Sequence, residues 1–212
     1  MAEIDLKPTR IENAIKLLQL FILEFFDQNP LSQLGIIVTR EGLAEKISDL
    51  TGNPVDLKEI LARKDLRNSN GEPSLQNAIE LALNSLWYLK ILAKRASHVP
   101  SHGSREIIGL VSSLTSCDPG DINETLARLK KDKVRVSMVG LSAEVRICRL
   151  LCEETQGNYG VLLDDGHFKE LLFQNVSPPA LAVSQKRSSL IQMGFPIRRV
   201  ISPFELCTWY FS

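Results

Sequence analysis

Three stretches of the sequence concentrate groups that can do chemistry: Thr115-Ser116-Cys117-Asp118, Leu141-Ser142-Ala143-Glu144 and Asp164-Asp165-Gly166-His167. The first sets hydroxyls beside a carboxylate, the oxygen donors a hard cation prefers. It has a plainer reading too. Asp118 is expected to N-cap a helix with Pro119 at its first position, both favourable placements. Asp164, His167 and Ser142 hold the groups of a hydrolytic triad. No GxSxG elbow surrounds a serine, however, and Asp164-Asp165-Gly166 reads as a turn after a strand, so catalysis is not expected. His98 and His102 are four residues apart in a Pro- and Ser-containing loop and are expected to be solvated. The cysteines are Cys117, Cys148, Cys152 and Cys207, with no CxxC pair among them. Cys148 and Cys152 share a helix face but lack two further ligands, which predicts core thiols in a reducing compartment. Neither GxxxxGK[ST] nor GxGxxG occurs, so nucleotide binding has no sequence support.

These loops must be held by the segments around them. Ile11 to Phe26 carries apolar residues at helical spacing, with Pro8-Thr9 before it and Asn29-Pro30 after it. Leu34 to Thr39 is a short β-branched run that predicts a strand buried on both faces. Leu43 to Leu50 is more polar and predicts an edge strand. Val55 to Arg67 and Leu75 to Ala96 read as helices, the second capped by Ser74. Strands are expected over Glu106 to Leu114, Val134 to Gly140 and Tyr159 to Leu163. They alternate with helices over Ile122 to Lys131, Ala143 to Thr155 and His167 to Asn175. Such alternation indicates βαβ units and a mostly parallel sheet. In such sheets ligands bind outside the carboxyl ends of the strands, which is where all three polar loops fall.

The 212 residues suggest one ordinary domain plus a tail, or at most two small ones, and are enough to bury a real core. Twenty-five basic residues balance 25 acidic ones, so no basic footprint for direct nucleic-acid binding is visible. Met1 to Arg10 is polar and has no signal-peptide character, and no apolar run approaches the ~20 residues of a membrane span.

Longer strings carry a resemblance. DLKPTR (5–10), FFDQNPLSQLGIIVTREGLAEKISDLTGNP (25–54), GEPSLQNAIELA (71–82) and SREIIGLVSSLTSCDPGDI (104–122) resemble the von Willebrand A-type subunit of the general transcription and DNA-repair factor TFIIH. So do KVRVSMVGLSAEVRICRLLCEETQG (133–157), YGVLLDDGHFKELL (159–172), SPP (177–179) and LIQMGFP (190–196). The resemblance implies an α/β, doubly wound, mostly parallel sheet flanked by helices. It implies a nuclear, non-catalytic TFIIH core subunit. That subunit binds and stimulates the XPD-type helicase in nucleotide excision repair and supports transcription initiation by RNA polymerase II. Its partners are that helicase and other core subunits, including the second von Willebrand A-type subunit. DNA is met only indirectly, and no membrane is involved. The partner-binding residues expected from the loop positions are Thr115, Ser116, Cys117, Asp118, Pro119, Asp121, Leu141, Ser142 and Glu144.

Three departures from the family pattern shape the remaining expectations. The sequence starts just before the stretch matching residues 5–10, where family members carry a central strand ending in an Asp-x-Ser-like segment. An A domain lacking that strand is expected, its two neighbours left with open edges. The main ligands of a metal-ion-dependent adhesion site would be missing as well. Ser74 and Asp118 would stand at the remaining ligand positions, and no bound Mg²⁺ is expected. Trp87 to Ser97 reads as an insertion. The segment IRRVISPFELCTWYFS replaces the family's zinc modules, so no cofactor is expected. The domain is expected over residues 1–176, with a linker and divergent tail over 177–212. The competing readings are a metal-dependent ligand-binding A domain and a non-functional truncated gene product.

Overall fold

The computed structural model describes residues 9–63, 71–96 and 103–178, with side chains of the middle segment described to residue 87. The described residues fall in one unit, Met1–Pro179. The readings at His98, His102, Cys207 and the tail beyond 178 lie outside them.

Helix α1 (Arg10–Gln28) starts where the Thr9 hydroxyl accepts the Glu12 N–H. It stops at Asn29, whose side-chain amide donates to the carbonyls of Phe25 and Val176. Strands β1 (Leu34–Arg40) and β2 (Leu43–Thr51) form an antiparallel hairpin. Its turn, Glu41-Gly42, has φ values of 49° and 75°, a two-residue geometry that matches strand twist. Helix α2 (Pro54–Ala62) opens on Pro54 behind the Asn53 cap. Helix α3 (Leu75–Ala96) runs the full length that its apolar spacing predicts.

A second sheet follows. Strands β3 (Glu106–Val111), β4 (Arg135–Gly140) and β5 (Tyr159–Val161) are parallel, in the order β3-β4-β5. β3 aligns with β4 from Glu106↔Arg135 to Val111↔Gly140. Helix α4 (Ile122–Asp132) connects β3 to β4, helix α5 (Arg146–Glu154) connects β4 to β5, and helix α6 (Asp165–Phe173) follows β5.

Side-chain alternation sends residues of one strand to opposite faces. On one face Ile107 and Val111 of β3 join Val136 and Met138 of β4 in a core with Ile79, Leu83, Leu129, Cys148 and Leu151. On the other face Leu110, Val139 and Leu141 pack on Ala14, Leu17 and Phe168. Helix α1 also covers the hairpin, through Ile15, Ile22 and Phe26 against Leu34, Ile36, Val38 and Ile47. Phe21 links the two regions, in a cluster holding both Leu34 and Ile108.

One expectation needs correction. Leu34 to Thr39 is not buried on both faces: apart from the exposed Gly35, every β1 residue is half-buried. Among the described residues β1 pairs with β2 alone, and a strand paired on one side keeps more of its surface open than a central one. The expected α/β architecture with a parallel sheet flanked by helices is found, laid out among the described residues as an antiparallel pair and a parallel trio with no ladder between β1 and β3. Smaller shifts fall at the ends. β3 stops at Val111 rather than Leu114, and α5 starts at Arg146 rather than Ala143, so the polar loops are longer than the sequence suggests.

Candidate functional site at the carboxyl edge of the strands

The polar loops do gather on one edge. The hairpin turn is tied to the approach to α3, where Gly42 N–H donates to Glu72 O (2.7 Å) and the Asn77 side-chain amide to Gly42 O (2.7 Å). The loop after β3 reaches the same place, with Cys117 N–H donating to Pro73 O (2.9 Å). The carboxyl ends of β1 and β3 therefore both meet the N-terminus of α3, which makes the two strands co-directional.

Asp118 is the centre of this junction. Its Oδ1 accepts from the Ser74 hydroxyl (3.0 Å), the Ser116 hydroxyl (2.9 Å) and the Gln76 N–H (2.9 Å). Ser116 Oγ in turn accepts the Leu75 N–H, and Ser74 Oγ the Asn77 N–H. Three N–H groups of the first turn of α3, which have no partner inside the helix, are satisfied in this way. A carboxylate there also complements the positive end of the helix. The expected cap at Asp118 is thus corrected: it serves α3, more than 40 residues earlier in the chain. Helix α4 is capped by Asp121, whose Oδ1 accepts the Asn123 N–H (2.9 Å), and Pro119 lies outside it.

As a cation site the junction is thin. It offers one carboxylate and two hydroxyls, where Mg²⁺ takes about six oxygens, several of them often water. Asp118 Oδ1 already serves three donors. Among the described residues no three His, Cys, Asp or Glu side chains come together. The residues present do not fit a bound Mg²⁺.

The second loop is held from α1. Arg10, 7% exposed, donates to Ser142 Oγ (2.6 Å), and the Ser142 hydroxyl donates to Ser112 O (2.6 Å). Ser142 is thereby a bridge between three chain segments, and among the described residues its hydrogen bonds go to Arg10 and Ser112 and not to a histidine. His167 Nδ1 accepts the Leu163 N–H (3.3 Å), and Asp164 Oδ1 accepts the His167 N–H (2.7 Å), which caps α6. The triad of Asp164, His167 and Ser142 is not assembled. Asn13 reaches Asp165 (2.6 Å) and ties α6 to α1.

Of the residues expected to meet a partner, Thr115, Ser116, Cys117, Pro119, Asp121, Ser142 and Glu144 are exposed and Asp118 is half-buried. Leu141 is corrected: it is 2% exposed and belongs to the core under α1. Glu144 pairs with Arg149 (2.5 Å), which also meets Glu153 (3.0 Å), and these contacts raise the Arg149 pKa further. Sequence reasoning missed Arg10 and two exposed leucines beside the loops, Leu114 (62%) and Leu163 (86%). The Ser112-Ser113 pair before Leu114 is the signal that β3 had ended. The expected core thiols are found: Cys148 and Cys152 are buried, while Cys117 is exposed.

The family model described as Ssl1-like matches residues 1–196. The chain is 44% identical over 192 residues to general transcription factor IIH subunit 2 of Dictyostelium discoideum, covering 91% of this chain and 39% of that protein. It is 42% identical to general transcription and DNA repair factor IIH subunit ssl1 of Schizosaccharomyces pombe, covering 98% and 48%. The chain thus spans less than half the length of these curated relatives. Among solved structures the SpRpn10 VWA domain superposes with a TM-score of 0.63 at 15% identity, over 86% of this chain and 93% of that one. The fold is accordingly that of a von Willebrand A domain, and with a match across nearly its whole length the chain belongs to the Ssl1-like family.

Proposed function

We propose that this chain is the A-domain part of a TFIIH subunit and works in the nucleus by protein contact, with no catalysis and no cation or cofactor of its own. The observation that carries this reading is the identity of 44% and 42% to proteins named as TFIIH subunits. Support from the site is of a different kind. Its hydroxyls and carboxylates are engaged in helix caps and loop-to-loop bonds, which leaves a rigid polar rim with exposed leucines at Leu114 and Leu163. A rim of this sort recognises a surface through a few anchors. The partner in this reading is the XPD-type helicase, whose unwinding in nucleotide excision repair the subunit stimulates. Other core subunits, including the second von Willebrand A-type subunit, are its neighbours.

The test changes two exposed residues, of which Leu114 is apolar and Thr115 has, among the described residues, a side-chain contact only within its own loop, to Ser113 Oγ at 3.5 Å. L114D and T115E in the full-length subunit should weaken capture of the purified helicase and its stimulation, while the thermal melt stays in place. Wild-type capture and stimulation by both variants would remove the rim from the interface.

A further inference from the structure

The charges of this chain cancel in number, 25 basic against 25 acidic, but not in place. The loops after β1, β3, β4 and β5 span residues 41–42, 112–121, 141–145 and 162–164. They carry Glu41, Asp118, Asp121, Glu144 and Asp164 and no basic residue. Leu114 and Leu163 stand exposed among them. The carboxyl edge is thus an acidic rim with two apolar points.

The opposite end has the other sign. Helices α3 and α4 both start at the rim, since Asp118 holds the first turn of α3 and Asp121 caps α4. They pack side by side. Gln76 donates to Thr125 (3.4 Å), and Glu80 accepts from Thr125 (3.3 Å) and Arg128 (3.2 Å). Both therefore end at the amino edge of the parallel strands, where α4 runs straight into β4. The last residues of α4 and its cap include Lys130, Lys131 and Lys133, all exposed. Arg105 joins them, donating to the Asp132 carbonyl. Glu154 answers Lys130 and Glu106 answers Arg135, and the balance of this corner is still positive.

Trp87 belongs to the same corner. Gln76, Glu80 and Trp87 follow one another at helical spacing, and the first two already touch α4. At 1.5 Å per residue, Trp87 lies about 18 Å down α3 and Lys131 about 14 Å down α4. The ring, 55% exposed, is therefore level with the end of α4 and its lysines. Beyond it α3 runs on through Lys90, Lys94 and Arg95 without an acidic residue. Exposed Trp is the side chain most favoured at the centre of protein contacts. Apolar points ringed by opposite charge make two surfaces complementary, and this chain owns both. Because they lie at opposite ends, the contact joins unlike surfaces and can repeat without closing.

We propose that the acidic rim of one copy receives the Trp87 corner of a second copy, so that the chain associates head to tail in open rows. The inference does not rest on the helicase reading and is tested on the chain alone.

The 212-residue chain is followed by sedimentation equilibrium from about 10 µM to about 500 µM, in about 50 mM and about 500 mM salt. Its mass should climb with concentration without a ceiling at two copies, and high salt should weaken the association about tenfold. L114D blocks the rim and W87A/K131E the corner. Each should keep the wild-type melt and sediment as a single chain, with T115E and K131E/K133E as second variants of the two ends. Mixed in equal amounts, L114D and W87A/K131E should form a dimer and stop there, since only one intact corner and one intact rim remain. A wild-type chain that stays single throughout would overturn the proposal and assign the Trp87 corner to a partner of another kind. So would either variant associating alone, the mark of a like-with-like contact, or mixed variants that stay apart. Association of equal strength in high salt and in every variant would reduce it to non-specific clumping and overturn it too.

Discussion

Without the Asp118 carboxylate, the buried Ser74 hydroxyl and the Gln76 N–H would each lose an acceptor. D118A should therefore cost ~1–3 kcal/mol in a urea melt, within the range for a lost cap or an unsatisfied buried donor. D118N keeps an oxygen acceptor and should recover most of it. Millimolar Mg²⁺ should leave the melting temperature unchanged, since a bound cation would raise it by mass action. The two buried thiols give a pH signature. Burial, with Asp118 adding to it, pushes Cys148 up to about 11, and burial pushes Cys152 up to about 12. An unfolded thiol ionises near ~8.5, so the folded state holds its protons longer. The contribution of these neutral thiols is complete below that value and is lost as the pH climbs towards the folded values. The urea midpoint should decline above about pH 9, and C148A/C152A should show less of that decline. Native alkylation at neutral pH should modify Cys117 and spare both. Residue identity alone carried part of this: two cysteines on one helix face read correctly as core. Asp118 and Asp121 were not separable, because the choice depends on where a helix N-terminus from elsewhere in the chain comes to rest.

At the scale of elements, the connection from α5 to β5 passes closest to its neighbour at Gly157. A Cβ there would lie 1.7 Å from the Val136 carbonyl oxygen, a backbone atom inside β4 that cannot step aside. G157A should cost at least ~3 kcal/mol, the upper part of the overpacking range; a melt within a few degrees of wild type would contradict the tight crossing. Helices and strands were largely legible, since apolar spacing at Ala14, Ile15, Leu18 and Phe21 or alternation along β4 is a local property. What covers a strand is not local. The β-branched run of β1 reads as a central strand, and its chemistry is right for one, yet among the described residues it pairs only with β2 and stays half-buried. The rim shows the same limit. Leu114 and Leu141 look alike in sequence, and only the length of β3 and the fold of α1 over β4 put one in water and the other in the core.

On the scale of the whole molecule, the two sheets share α1 and α3 but, among the described residues, no ladder. Phe21, which joins Leu34 to Ile108 within one cluster, is the side chain that most directly couples them. F21A removes a ring 2% exposed and should cost ~3–5 kcal/mol. It should also separate the unfolding of the hairpin from that of the parallel trio, visible as a calorimetric enthalpy exceeding the van't Hoff value. The split sheet has a consequence for how the chain forms. A hairpin with a two-residue turn closes within microseconds, whereas the parallel trio needs two long crossovers and is slower. During that interval α1 can settle on the hairpin while its other side, bearing Ala14 and Leu17, still waits for β3 and β4. The early species would carry one finished apolar surface and one naked one, so the window in which this chain is prone to clump lies between the two closures. A chaperone that holds apolar surfaces should raise its refolding yield most when added before the second.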